Sequence, residues 1–505
     1  MMLNRYRAFA AYLLAIPLAL FLGILAASPN ELTLTLIGML LFFLALPFFI
    51  GWHHTLLIVF WNSAFTAVFL PGQPAFWLLF AVLSFGLAVL NHIVGRRPFL
   101  SVPDMTRPLL FMLVVIVGTA WYHGGIGVRA LGGAANGGKY YILVLGGIVG
   151  YFALTAGQIS NSKRQRMAGL FFLSGTSYLL SNIVFALGPA FYILYYLIPS
   201  VYAGDQAAGE AGLATLGRLQ GLAPACLATF CFLLMKYGIR GLFDWTKPWK
   251  PAFLLIIFGV TFFCGFRSML ATIFLVFAFQ FCFEGLVRTR LFPVTIGLAI
   301  CGFIPILLFA NKMPPLVQRT ISFLPVNVDS SIQADAMGTS EWRFQMWAVL
   351  WKEVPKYLVI GKGYGIDPTE LDSVFTAQRM GILPNTFEGS MLAGDYHSGP
   401  LSVIIPFGIM GAVAFLWVLF AGFRVLYLNY RHGDEQLRRI NSVLLSYYLA
   451  YAVSFFFIFG AFNSELYVFL GVVGFSVCLN RGVMRKAAVE GVRSPEQPAY
   501  AIELR

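Results

Sequence analysis

The sequence predicts an all-α protein: a polytopic bundle of about 12–14 transmembrane helices with one large helical loop on its outer side. Three observations carry this. Apolar residues make up 59% of the 505-residue chain and charged residues 11%, against about 45–50% and about 25% in soluble domains. The mean hydropathy is +0.79, too apolar for a soluble surface. Continuous apolar runs near 20 residues, the length that crosses a bilayer as a helix, recur along most of the chain. A membrane β-barrel would show short alternating segments instead.

Candidate spans cover 8–27, 32–50, 54–70, 75–94, 108–122, 140–157 and 167–187, then 218–239, 251–265, 268–284, 291–310, 399–423, 440–461 and 466–480. The stretch 188–200 either extends the helix before it or lies at the interface. No internal repeat is visible. Residues 8–27 are long enough to span and no A-x-A site follows, so they are read as a first helix rather than a cleaved signal. The expected division is 1–310, helices with short loops; 311–398, a large loop or cap; 399–481, C-terminal helices; and 482–505, a polar, disordered cytoplasmic tail. All six cysteines fall inside apolar runs with no CxxC pair, which suits small buried hydrophobes and neither a disulfide framework nor a zinc site.

Basic residues set the expected orientation. Counting from a cytoplasmic N-terminus with Arg5 and Arg7, the even-numbered loops hold Arg96, Arg97 and Arg107, then Lys163, Arg164 and Arg166, then Lys236, Arg240, Lys247 and Lys250. Arg288 and Arg290 follow, then Arg424, Arg431, Arg438 and Arg439, and the tail adds Arg481, Arg485 and Lys486. Only a short His53–His54 turn lacks one. The net charge of +13 is thereby accounted for by topology, and no nucleic-acid partner is needed.

The outer loops are the informative ones. Residues 123–139 are glycine-rich, but no strand precedes them, so a phosphate-loop reading is weak. The loop 201–217 holds Asp205 and Glu210, and 311–398 is long enough to form a cap. Within it, 341–354 (EWRFQMWAVLWKEV) spaces Trp347, Leu350, Trp351 and Val354 at i, i+3, i+4 and i+7, one apolar face of a helix lying in the interface.

Arginines near apolar spans are functional candidates because their charge is costly there. Arg218, in GRLQGLAP, opens a span, and Arg267, in CGFRSML, sits at the hinge between two. Both fall on the outer side, where insertion does not favour positive charge. Snorkelling to lipid phosphates is the plain alternative for either alone. Two glycine-flanked arginines at one depth point instead to a bound anion, since guanidinium forks onto phosphate oxygens. His397 is the last polar side chain but one before the 399–423 span, and a neutral imidazole can take a proton from a sugar hydroxyl. A structural histidine is the competing reading.

Four signatures in order now carry a resemblance. Arg218, Leu219, Gly221 and Leu222 form an arginine-opened RLxGL; Gly265 and Arg267 a small-residue–x–Arg; WRFQMW at 342–347 leads to GKGYG at 361–365; and His397 precedes Leu401, Gly408 and Gly411. Over roughly 210–425 the chain resembles the O-antigen ligase and O-antigen or exopolysaccharide polymerase superfamily of bacterial membrane glycosyltransferases. Its members often carry asparagine after the histidine, where this chain has Ser398.

The resemblance implies a GT-C-like bundle in the inner (cytoplasmic) membrane, with both termini cytoplasmic and a periplasmic site. It implies transfer of a glycan from an undecaprenyl-diphosphate donor to an acceptor glycan or lipid A–core, by metal-independent inversion without a cofactor. On that reading Arg218 and Arg267 hold the diphosphate and His397 serves the acceptor hydroxyl. Arg343 is a further phosphate or sugar contact or an interfacial residue, and Asp395 and Glu388 are fallback bases. The chain has no DxD motif. The alternative class is a polysaccharide-lipid transporter or flippase, with broken helices and ion pairs near the midplane.

Overall fold

The computed structural model of the chain describes residues 16–25, 27, 30–95, 102–125, 137–211, 216–380 and 387–485. The glycine-rich stretch 126–136 and most of the expected tail, 486–505, lie outside the described residues. What is described is an all-α polytopic bundle whose nearest approach to a sheet is one antiparallel bridge, Thr66 to Ala75. Nine of its helices are long and apolar enough to cross a membrane, or ten with a bent pair counted as one, and three shorter apolar helices stand beside them.

In chain order, α1 is Ile16–Leu25, α2 Glu31–Leu44, α3 Leu46–Phe60, α4 Phe76–Ile93, α5 Pro103–His123, α6 Gly138–Thr155, α7 Arg164–Leu173 and α8 Leu179–Leu187. Next are α9 Gly204–Glu210, α10 Leu222–Leu242, α11 Trp249–Phe262, α12 Arg267–Phe283 and α13 Leu291–Phe309. The described part of 311–398 holds four helices, α14 Pro315–Ile321, α15 Ser330–Tyr357, α16 Pro368–Arg379 and α17 Glu388–Leu392. Three long helices close the bundle, α18 Gly399–His432, α19 Arg438–Phe457 and α20 Phe462–Asn480.

The division differs from the sequence reading near the N-terminus. Instead of two spans separated by a His53–His54 turn, α2 and α3 meet at a 77° bend at Ala45, where Pro47 removes a helical donor at the start of α3. His53 and His54 lie inside α3, against the Ser84 hydroxyl and the Leu154 carbonyl, each at 3.0 Å. Residues 61–70, expected inside a span, belong with 71–75 to an irregular link that turns at Pro71–Pro74. The 188–200 stretch is largely a separate 3-10 helix, Pro189–Tyr196, with no buried residue.

The core is aromatic and glycine-packed. α20 lies along α6, and a side chain at Gly471 or Gly150 would overlap the indole of the buried Trp61. Small residues let helices approach closely where lipid supplies no hydrophobic drive. Four cysteines are buried, whereas Cys282 and Cys301 are exposed on the bundle surface. An apolar residue on a membrane helix need not be inside, because the lipid-facing side is equally apolar.

Two features position the cap. The α15 row Trp342, Met346, Leu350 and Val354 packs with Leu401 and Ile405 of α18. Trp351, expected with Trp347, Leu350 and Val354 on one apolar face of an interfacial helix, lies beside this row and is 57% exposed. The second feature is a break in α18. Pro406 cannot donate and Gly408 is at φ +63°, so helical bonding is interrupted. The cap supplies the missing partners: Lys362 and Gly363 donate their N–H to the carbonyls of Ile405 and Pro406 at 2.7 and 2.9 Å, and Ile409 donates to Leu358 O at 2.7 Å. A Cβ at Gly361 would overlap the Pro406 carbonyl, which accounts for glycine at the start of GKGYG.

Candidate functional site

The site lies where the cap meets the ends of α10, α12 and α18. Arg218 stands in the loop before α10. That loop is pinned by the Gly221 N–H, which donates to Asn182 Oδ1 at 3.0 Å. Gly265, at φ +74°, turns the chain so that Arg267 opens α12, and its missing Cβ leaves room for Arg218, whose Cγ would lie 3.3 Å away. Arg267 Nη2 donates to Ala336 O and Ser340 Oγ, both at 3.0 Å. Arg218 Nε is 3.9 Å from Asp205, a loose ion pair, and its Cζ is 5.7 Å from the Phe266 ring centre.

Sequence reasoning passed over a further arginine. Arg319 of α14 is 3% exposed and fully engaged: Nε donates to Asp335 at 2.7 Å, Nη1 to Gly265 O at 3.1 Å and Nη2 to Thr339 Oγ1 at 3.2 Å. It fastens cap to hinge. Asp335, Thr339 and Arg343 follow at i, i+4 and i+8, so one face of α15 serves the arginines while the neighbouring row packs on α18. Only the PLVQRTI context, a charge just beyond an apolar span, could have drawn attention to Arg319.

Arg343 turns inward. Its Cζ lies 5.5 Å from the centre of Phe459, and its buried Nε has no hydrogen-bond partner among the described residues. The same Phe459 ring is 5.3 Å from the His397 ring, which has Trp342 5.5 Å away as its other neighbour. Phe459 is one of 50 phenylalanines, and no sequence signal marks it. His397 follows a turn at Gly394 and is itself at φ +49°. A non-glycine residue costs of order 1 kcal/mol in that region. Trp347 Nε1 donates to Tyr396 O at 2.9 Å and holds the turn. His397 Nδ1 is 3.2 Å from Asp395 Oδ1, at ion-pair distance but without hydrogen-bond alignment.

Charge follows from this packing. Burial holds the His397 imidazole below its ordinary value, the Arg343 guanidinium pushes the same way, and Asp395 opposes them, so the neutral imidazole predominates at neutral pH. Burial also lowers Arg343, helped by repulsion from Arg267, Arg218 and Arg319 against the pull of Asp395. Arg218 is lowered by burial and Arg319, while Asp205 and Asp335 oppose. Four guanidiniums thus face three carboxylates, one of which is committed to Arg319. That leaves a partly buried excess of positive charge suited to an anion with several oxygens.

Of the residues singled out by sequence, Arg218, Arg267, Arg343, Asp395 and His397 converge here. Glu388 does not: it is exposed at the first position of α17, and none of the contacts binding the cluster runs through it. Comparison with protein-family models, curated proteins and solved structures gives no match to this chain.

Proposed function

We propose that the chain is a glycosyltransferase that moves a glycan from a polyprenyl-diphosphate donor, undecaprenyl-linked in bacteria, to an acceptor sugar at the periplasmic face of the inner membrane. The acceptor is a further glycan, as in a polymerase, or lipid A–core, as in a ligase. The observation that carries this reading is a continuous cluster at the cap–bundle junction in which Arg218 and Arg267 act on Arg343 and Arg343 in turn acts on a neutral His397. Arg218 and Arg267 hold the diphosphate, and Arg343 is the contact nearest the reacting sugar. The acceptor oxygen attacks the anomeric carbon, the bond from that carbon to the diphosphate oxygen breaks, and its electron pair leaves with the diphosphate. Fixed guanidiniums stabilise that growing charge. Nδ1 of His397 faces Asp395, so Nε2 takes the acceptor proton.

A transporter would place a broken helix on a substrate cavity. The break in α18 is instead filled by cap backbone from Leu358 to Gly363, which favours the transferase reading. The test is transfer from a lipid-diphosphate oligosaccharide by the purified chain and by the His397→Ala and Arg267→Ala variants. Release of lipid diphosphate by the wild type and its loss in both variants is expected. Movement of lipid-linked sugar across vesicles without any release would replace the reading with transport.

A further inference from the structure

We propose that Phe459 is the positioning residue of this site, a single ring that sets both Arg343 and His397 in place. Phe459 lies in the link between α19 and α20, and that link is anchored. The Phe459 N–H donates to Ser454 O at 2.9 Å. Gly460 sits so close to the start of α18 that a Cβ there would be 3.0 Å from Gly399 Cα. The Phe462 N–H donates to Ser402 Oγ at 2.9 Å. The ring is therefore fixed to the same backbone that presents His397.

The two groups it touches lack comparable polar anchors. Arg343 Nε is buried without a partner among the described residues, and His397 Nδ1 approaches Asp395 without hydrogen-bond alignment. What defines the guanidinium is the Phe459 ring, 5.5 Å from its Cζ. What defines the imidazole is Phe459 on one part and Trp342 on another, at 5.3 and 5.5 Å. The charged and titratable groups facing His397 are Arg343 from the cap and Asp395 from its own turn. An apolar ring held against the imidazole keeps water from it and keeps it within the field of Arg343. Loss of the ring removes both influences at once.

The experiment has a chemical arm and a kinetic arm, both on the full-length chain in detergent. Diethyl pyrocarbonate modifies neutral imidazoles, and peptide mass spectrometry reads its rate at His397 across a pH series. Phe459→Ala is expected to raise the midpoint of that profile towards about 6.5, the ordinary imidazole value, and Phe459→Tyr to leave it near the wild-type position. Continued protection of His54, bonded to Leu154 O at 3.0 Å, reports in the same digest that the bundle is intact. The kinetic arm rests on the transferase reading: Phe459→Ala lowers kcat about tenfold or more, as misplacement of reacting groups does, with little change in the donor KM, and tyrosine restores it. An unmoved His397 profile in Phe459→Ala overturns the proposal whatever the kinetics. A moved profile in a chain that transfers no glycan sustains the positioning role and removes the transferase reading.

Discussion

Arg319 donates to the carbonyl of Gly265 across 3.1 Å, two residues before Arg267. One buried side chain of the cap thereby fixes the backbone turn from which a membrane helix presents its arginine. Replacing Arg319 by methionine leaves Asp335 and the Gly265 carbonyl without their partner. Breaking such a buried pair costs about 3–5 kcal/mol. Thermal unfolding in detergent should show a clear fall in Tm, and transfer should fall with it. The arrangement has no such role if the methionine variant unfolds and transfers as the wild type does.

The pH dependence of transfer follows from His397. Its reactive form is neutral, and burial together with Arg343 holds the group below its ordinary value. The loss of kcat/KM on acidification should therefore begin only below about pH 6.5. Arg343→Gln removes a repelling charge and should move that limb upward. Asp395→Asn removes the opposing carboxylate and should move it downward. Pre-steady-state rates across pH 4.5–8 would check both signs, and a shift in one direction for both variants would contradict the assignment.

Arg218 is bound loosely, with its one ion pair among the described residues at 3.9 Å, so most of its fork is available to a ligand. Arg218→Ala should lower kcat/KM by about a hundredfold, in the range found when one charge-stabilising donor is lost. Arg218→Lys should recover part of it, because lysine keeps the charge and loses the fork. Glu388→Ala should transfer at the wild-type rate. Steady-state kinetics with a defined lipid-diphosphate donor measure all three.

The seal in the α18 break gives a prediction about the cap. A side chain at Gly408 would press on the carbonyls of Leu358 and Val359, at 2.8 and 2.9 Å, from a backbone at φ +63°. Gly408→Val should destabilise the chain by about 1–3 kcal/mol and loosen 358–363. Limited proteolysis should then cut the cap within 358–380 faster than in the wild type.

The sequence contained the class of fold and the main cast of the site, because both are written locally. Apolar runs near 20 residues announce helices, and Arg218, Arg267 and His397 stand where such runs begin or end. The rest depends on long-range packing. Trp351 and Leu350 look equivalent by spacing, and only the direction of approach of α18 separates them. Phe459 has nothing in its neighbourhood to mark it, since its role arises from partners 62 and 116 positions earlier in the chain. The bend at Ala45 was signalled by Pro47, but two apolar helices joined by an apolar bend resemble continuous spans. Arg319 and Asp335 are 16 residues apart, and their pairing needed the fold of the cap to become visible.

Besides its packing on α18 and the Arg319 clasp at Gly265, the cap has two further connections of different kinds. On the α18 side it is held by hydrogen bonds through Lys362 and Gly363. On the other side it continues from α13, in which no residue is buried although its mean hydropathy is 2.4. At about 1.5 Å per residue the helix is close to the thickness of a bilayer's hydrocarbon core, about 30 Å. Few neighbouring side chains touch it: the Phe292 ring meets Phe281, and Ile306 packs on the cluster around Ala310 and Ile321. The segment that leads into the cap is thus surrounded by lipid more than by protein.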